Sequence, residues 1–334
     1  MDIVRAVIFL VCGIVILWKC AEFLVAGAVR LAKRLGVSPL VVGLTVVAMG
    51  TSAPEVAASI AAAIRGEGDM AIGNVYGSNI ANLALVGGLA CLIRPLTVRM
   101  QTLRREVPAM IVVALLLWPV LHDLNLSRPE GCILLAVFAA LILLTVYFAR
   151  KEAANSSRAP STSLGPGAGD ASCDVRDTQY AIRNAKKNVL FIGIGLVGLA
   201  VGADLTVRGA KVIGEHIGLS GAVVGLTMVA IGTSLPELAT CVVAAIKGHH
   251  DISVGNLVGS NIFNTLLVTG VAGVVRPFGV GARLIGADYW IMIGVSVAFG
   301  VIAIAGRRTI GRTGAALLLC GYIGYMVYLL VYSG

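Results

Sequence analysis

Two short segments of this 334-residue chain carry nearly the same six residues: Gly50-Thr51-Ser52-Ala53-Pro54-Glu55 and Gly232-Thr233-Ser234-Leu235-Pro236-Glu237. Each glutamate lies in the middle of a long apolar stretch. A charged side chain at the centre of a membrane-spanning helix costs about 2.5–3.5 kcal/mol on insertion scales, so Glu55 and Glu237 each require a compensating cation or proton. No basic residue occupies the matching depth in the neighbouring apolar segments. Two carboxylates brought together would supply two negative charges, and hard oxygen ligands of that kind suit calcium or sodium. Hydrolytic chemistry inside a membrane would instead need a buried base. The four histidines (His122, His216, His249, His250) fall at or near loops and no second aspartate faces Asp204, so the pattern is not that of an enzyme.

The prolines and hydroxyls around the acids add oxygen. Pro54 and Pro236 lack a backbone N–H and clash with the carbonyl four residues back, which releases the carbonyls of Gly50 and Gly232 and strains the turns around Ala48 and Ala230. In hydrocarbon, freed carbonyls are tolerated only where they face protein, water or an ion. Thr51 and Glu55 share a helix face, as do Thr233 and Glu237. Downstream, Asn74, Ser78 and Asn82 form a polar stripe at four-residue spacing, repeated by Asn256, Ser260 and Asn264. The deeper members (Ser78, Asn82, Ser260, Asn264) read as ligands. Asn74 and Asn256, near the segment ends, fit interhelical hydrogen bonding as well as they fit ion contact.

The elements that hold these residues are membrane helices. The chain is 58% hydrophobic and 13% charged, against roughly 25% charged in soluble domains, and its mean hydropathy is +0.93. Apolar segments near the length of about 20 residues that a spanning helix needs recur at 4–29, 38–64, 70–93, 107–121, 130–149, 188–210, 220–246, 252–275, 284–305 and 313–332. The expected fold is therefore all-α and polytopic, with ten spans, the second and seventh broken at the prolines.

The ten spans divide into two halves. Val41–Glu55 matches Val223–Glu237 almost residue for residue, Gly73–Asn82 matches Gly255–Asn264, and Arg94-Pro95 returns as Arg276-Pro277, all at the offset of 182 residues that separates Glu55 from Glu237. Chance similarity between apolar helices would not preserve the polar positions. Five spans per half is an odd number, so the second half is inverted relative to the first, the usual architecture of secondary transporters. We expect one repeat at 1–149, a linker at 150–187 and an inverted repeat at 188–334.

The net charge of +9 is a topology signal, not a nucleic-acid one. One face collects Arg30, Lys33, Arg34, Arg94, Arg99, Arg104, Arg105, Lys247, Arg307, Arg308, Arg312 and the basic residues of 150–187. The other receives Arg5, Arg65, Arg128, Arg208, Lys211, Arg276 and Arg283. Cytoplasmic loops carry the Lys/Arg excess, which places 150–187 in the cytoplasm and both termini outside. The Ser-, Gly- and Pro-rich linker has no apolar period and reads as mobile. Its Asp170, Asp174 and Asp177 lack the Gly and Glu of a calcium loop.

Other features weigh less. The seven cysteines (Cys12, Cys20, Cys91, Cys132, Cys173, Cys241, Cys320) form no CxxC pair and read as small apolar residues. Ala6–Leu17 resembles a signal-peptide core but has a counterpart at 188–205. Lys19 and Glu22 are spaced to pair, and Asp204 is the repeat mate of Glu22. Gly193, Gly195, Gly198 and Gly202 offer a smooth face for a close or sliding helix contact.

The paired Gly-Thr-Ser-x-Pro-Glu and Gly-Ser-Asn-Ile-x-Asn segments resemble the two alpha repeats of the sodium/calcium exchanger family, within the calcium/cation antiporters, and most closely its prokaryotic members. The resemblance covers nearly the whole chain outside 150–187. It implies an antiporter of the plasma (inner) membrane that binds calcium or sodium alternately near the bilayer midplane, with no cofactor, nucleic acid or obligate protein partner besides the ions and the lipid. By motif position, Glu55 and Glu237 would be the shared carboxylates and Thr51 and Thr233 would complete the calcium site. Ser52, Ser78, Ser234 and Ser260 would line sodium sites with the backbone oxygens of Ala48 and Ala230, and Asn82 matches the central asparagine. Spans 1 and 6 would slide as a gating pair. Where several sodium-coupled members carry an aspartate, this chain has Asn264. Two acids then remain in the core, and protons become a rival to sodium as counter-ion.

Overall fold

The computed structural model describes residues 3–158, 175–216 and 232–332. Among the described residues the regular structure is helical apart from four two-residue strands. Its elements are α1 (Ile3–Leu35), α2 (Pro39–Thr51), α3 (Ala53–Arg65), α4 (Gly68–Ile93), β1 (Leu96–Thr97), α5 (100–115), α6 (Leu117–Leu121), β2 (Asn125–Leu126), α7 (Arg128–Arg158), α8 (Val175–His216), α9 (Leu235–Ile246), α10 (His250–Val275), β3 (Phe278–Gly279), α11 (Leu284–Ala305), β4 (Thr309–Ile310) and α12 (Arg312–Tyr332). Seven of the described helices are long and apolar enough to cross a membrane, and α2 with α3, bent by 44°, makes an eighth candidate. The lipid-facing sides of α1, α7, α8, α11 and α12 expose large apolar residues such as Val4, Leu143, Val197, Ile304 and Leu317.

Differences from the sequence expectation have physical causes. The span expected at 107–121 is divided at Leu116, because Pro119 clashes with the carbonyl four residues back. Helices enter the segment read as a linker from both sides, over 150–158 and 175–187. Those stretches are rich in Ala, Arg and Lys, which favour helix even without an apolar face. The rest of that segment, with Asp170 and Asp174, lies outside the described residues, as does the first half of the expected span at 220–246.

Among the described residues five stretches widen into π-helical turns: 43–47, 81–86, 102–106, 264–268 and 284–288. The second and fourth are repeat mates, as are the third and fifth. Such turns concentrate at functional sites.

The halves bind each other reciprocally. Arg94 donates to the carbonyl of Ile246 at the end of α9, and its mate Arg276 donates to that of Ile64 near the end of α3. Gly66 and Gly248, at φ +80° and +77°, turn the chain just beyond those two helix ends. Asp69 accepts from the Gly281 N–H, and its mate Asp251 pairs with Arg99, the mate of Gly281. Strand β1 pairs antiparallel with β4, and β2 with β3. Two apolar clusters, one around Tyr76, Leu117, Leu266 and Tyr289, the other around Leu83, Met110, Leu257 and Phe299, fill this frame.

Helices α1 and α8 pack on each other along most of their length, outside that frame. A Cβ added at Gly195, Gly198 or Gly202 of α8 would collide with Leu24, Cys20 or Leu17 of α1, so the seam is close because these positions lack side chains. Gly193 meets open space instead and takes no part in it.

Candidate ion-binding site

The frame brings the two breaks together. Ser52 separates α2 from α3 with φ −80° and ψ 5°, and Ser234 precedes α9 with φ −88° and ψ 3°. At the first break the Ser52 N–H reaches the Ala48 carbonyl at 3.0 Å, while Pro54 has no N–H to offer Gly50. Glu55 and Glu237 sit in the first turns of α3 and α9. There the helix dipole favours a negative charge. Both side chains are fully buried. On the other side, α8 lays Leu196 over Gly50 and Val207 over Gly232.

Contacts across the halves assemble the rest. Ser52 Oγ donates to Glu237 Oε1 at 3.1 Å. Thr51 Oγ1 lies 3.1 Å from Asn256 Oδ1 and 3.3 Å from the Ala48 carbonyl, sharing its proton between them. Asn264 Nδ2 donates to Ser78 Oγ at 3.0 Å, and that hydroxyl donates on to the Asn74 carbonyl at 2.7 Å. Asn74 itself bonds Ser59 and the Glu55 carbonyl, and Asn256 bonds Cys241. These two asparagines therefore act as interhelical glue.

Much of the oxygen is left over. Both carboxylate oxygens of Glu55, Glu237 Oε2, Asn82 Oδ1, Asn264 Oδ1 and the hydroxyls of Ser234 and Ser260 are buried with no hydrogen-bond partner among the described residues. An unsatisfied buried polar group costs about 1–3 kcal/mol, more when charged. A set of such oxygens is what a dehydrated hard cation lacks, and calcium takes six to eight of them. Among the described residues no three His, Cys, Asp or Glu side chains gather, so the donors are hydroxyl, amide and paired carboxylate rather than a soft-metal set. Thr233 is partly buried beside this group, and Ala48 is fully buried. Ala230 lies outside the described residues.

Sequence reasoning missed two neighbours. Asn79 Nδ2 bonds Thr265 Oγ1 at 2.9 Å across the halves. Thr240, one turn beyond Glu237, is buried with a hydroxyl that has no partner among the described residues. The duplicated Gly-Ser-Asn motif contained a signal for Asn79, but Thr240 has alanine as its repeat mate and gave none.

The chain matches the sodium/calcium exchanger protein family over residues 5–147 and 187–331. It belongs to the sodium/calcium exchanger family. A putative antiporter, CaxA of Alkalimonas amylolytica, is 38% identical over 98% of this chain and 99% of its own length. The sodium/calcium exchanger MaX1 of Methanosarcina acetivorans is 31% identical over 96% and 97%. The solved structure of the sodium-calcium exchanger NCX_Mj soaked with 10 mM Na+ and zero Ca2+ superposes with a TM-score of 0.79 at 27% identity, covering 98% of this chain and all of that one. The protein is thus a multi-span membrane antiporter of that family, not an enzyme.

Proposed function

We propose that this exchanger moves calcium against sodium by alternating access, with both ions using one site between the broken helices. The observation that carries the reading is the pair of fully buried glutamates, one per half, whose carboxylate oxygens are mostly unpartnered among the described residues. Two such charges balance one calcium. In this reading Glu55, Glu237, Thr51 and Thr233 hold calcium. Ser52, Ser78, Ser234 and Ser260, with the Ala48 and Ala230 carbonyls, hold sodium, and Asn82 and Asn264 complete the centre. The matched contacts that Arg94 and Arg276, and Asp69 and Asp251, each make with the opposite half support ten spans in two inverted repeats, 1–149 and 188–334, joined by 150–187. The basic-residue bias supports a cytoplasmic 150–187 and outward termini in the plasma (inner) membrane.

One observation favours a second reading. Asn264 brings no charge to the core and spends its amide on Ser78, which leaves the two fully buried acids Glu55 and Glu237. Protonation would neutralise buried acids as a cation does, so calcium/proton antiport is the alternative. Calcium uptake into proteoliposomes separates the two: a sodium gradient drives it in the first reading, and a pH gradient without sodium drives it in the second. Calcium flux unaffected by either gradient removes both.

A further inference from the structure

The frame is two-fold related, but α1 and α8 sit on it unequally. Helix α1 packs along α9, whereas its repeat mate α8 has no comparable run against α3, the mate of α9. An ion pair marks the difference. Glu22 of α1 bridges Lys19 of its own helix and Lys247, the residue just after α9, at 3.2 Å each. The repeat mates of Glu22 and Lys247 are Asp204 on α8 and Arg65 at the end of α3. These two are apart: Asp204 pairs at 2.8 Å with Arg208, one turn along α8, and Arg65 is exposed with no ion-pair partner among the described residues. Lys247 lies on the face rich in basic residues and Arg65 on the opposite one.

In a transporter of inverted repeats one bundle rocks against the other around a fixed site, and the repeat symmetry offers a second state in which the two repeats exchange conformations. We propose that Glu22–Lys247 and Asp204–Arg65 are alternating latches, each closing one membrane face. In the present state α1 is held to α9 by Glu22–Lys247, which closes the cytoplasmic side. When the α1–α8 pair slides, Glu22 falls back on Lys19, and Asp204 leaves Arg208 for Arg65 and closes the outer side. This inference rests on the inverted, alternating-access reading. It adds the four charged side chains that decide which face is shut, none of which touches the ion-binding oxygens.

Two measurements test it in full-length protein. Cysteines replacing Asp204 and Arg65 should cross-link under mild oxidant in a background whose native cysteines are serine, and the cross-link should stop calcium flux until reduced. In oriented proteoliposomes, Glu22→Gln and Lys247→Gln should strengthen apparent calcium affinity at the cytoplasmic face and weaken it outside, by roughly the two- to fivefold that a partly exposed ion pair supports. Asp204→Asn and Arg65→Gln should shift both affinities the other way, and Arg208→Gln, by freeing Asp204 for Arg65, should act like Glu22→Gln. The double reversal Glu22→Lys with Lys247→Glu should restore the original balance. Failure of 65 and 204 to cross-link in a protein that still transports calcium overturns the latch and spares the exchanger reading. So do Asp204→Asn and Arg65→Gln variants whose side preference is unchanged or shifts with that of Glu22→Gln. Absence of calcium flux in the unmodified protein, with the 65–204 cross-link still forming, refutes the exchanger reading and spares the latch.

Discussion

Replacing Glu55 or Glu237 by glutamine removes one unit charge from the site while nearly preserving its shape. At an effective dielectric of about 20, two unit charges roughly 4 Å apart interact by about 4 kcal/mol, and a divalent ion doubles that. If desolvation and the remaining amide oxygen offset half of the loss, about 4 kcal/mol remains, close to a thousandfold in calcium affinity. The fold should not share this loss. Glutamine at 237 keeps an oxygen to accept from Ser52 Oγ, and Glu55 has no side-chain hydrogen bond to forfeit among the described residues. Removing a buried, unpaired charge also removes its desolvation penalty. The expected result is therefore a split: calcium flux in proteoliposomes falls to background, calcium no longer raises the melting temperature, and the ion-free melting temperature stays the same or rises. Flux within tenfold of the unmodified protein, in either variant, refutes the assignment of the carboxylates. A large fall in ion-free stability would refute the claim that they are uncompensated charges.

Other perturbations separate the scaffold from the site. Thr51→Val removes the hydroxyl shared by Asn256 and the Ala48 carbonyl and should weaken calcium-dependent stabilisation by about tenfold, in line with the roughly 1.5 kcal/mol of a hydrogen bond to a charged group; unchanged calcium titrations would count against it as a ligand. Gly13→Ala drives a Cβ into Thr206 and the Gly202 carbonyl of α8, so transport should slow severely while calcium binding at equilibrium is much less affected. Equal loss of both would argue against a sliding seam. His249, in the loop before α10, has its pKa pushed below the ordinary value by burial and then by the charges of Lys247, Lys33 and His250. The unfolded chain protonates this residue near about 6.5 and the folded chain resists, so its contribution is neutral above that pH and destabilising as pH falls through it. Melting curves from pH 7.5 to 5.5 should show that decline, and His249→Gln should flatten it.

The sequence disclosed the parts of this protein that obey simple rules. Apolar runs marked the helices, and Pro54 and Pro236 located the breaks because a missing N–H acts locally. Glu55 and Glu237 stood out because a lone acid in hydrocarbon has no cheap explanation. What it did not disclose depends on three-dimensional neighbours. The π-helical turns at 81–86 and 264–268, which carry Asn82 and Asn264, leave no residue signature. Asn74 and Asn256 became interpretable only when Ser59 and Cys241 were found opposite them. Gly193 could not be told from Gly195 by periodicity, since the side of α8 that faces α1 is fixed by where α1 lies. The helical extensions beyond 149 and before 188 were hidden because their polar sequence has no apolar period.

The hydrogen bonds themselves separate what is fixed from what moves. The frame contacts of Arg94, Asp69 and Asn74 have repeat counterparts in those of Arg276, Asp251 and Asn256, as one strand pair has in the other. Two contacts in the site have none among the described residues. Ser52 bonds Glu237, yet Ser234 Oγ and both Glu55 oxygens, the mates of that pair, are unpartnered among the described residues. Asn264 bonds Ser78, yet Asn82 and Ser260 leave their mated groups open. A symmetric frame has no preference for either face of the membrane, so the choice must reside in the contacts that break the symmetry. Those are the site's own hydrogen bonds and the seat of α1 on α9. In the proposed reading ion occupancy would replace the first set, a cation taking the oxygens that Ser52 and Asn264 now satisfy on one side only. On that reading, filling the site would even its two halves and remove one source of bias toward the present state, so that a bound ion would permit the proposed shift of the α1–α8 pair without contacting it.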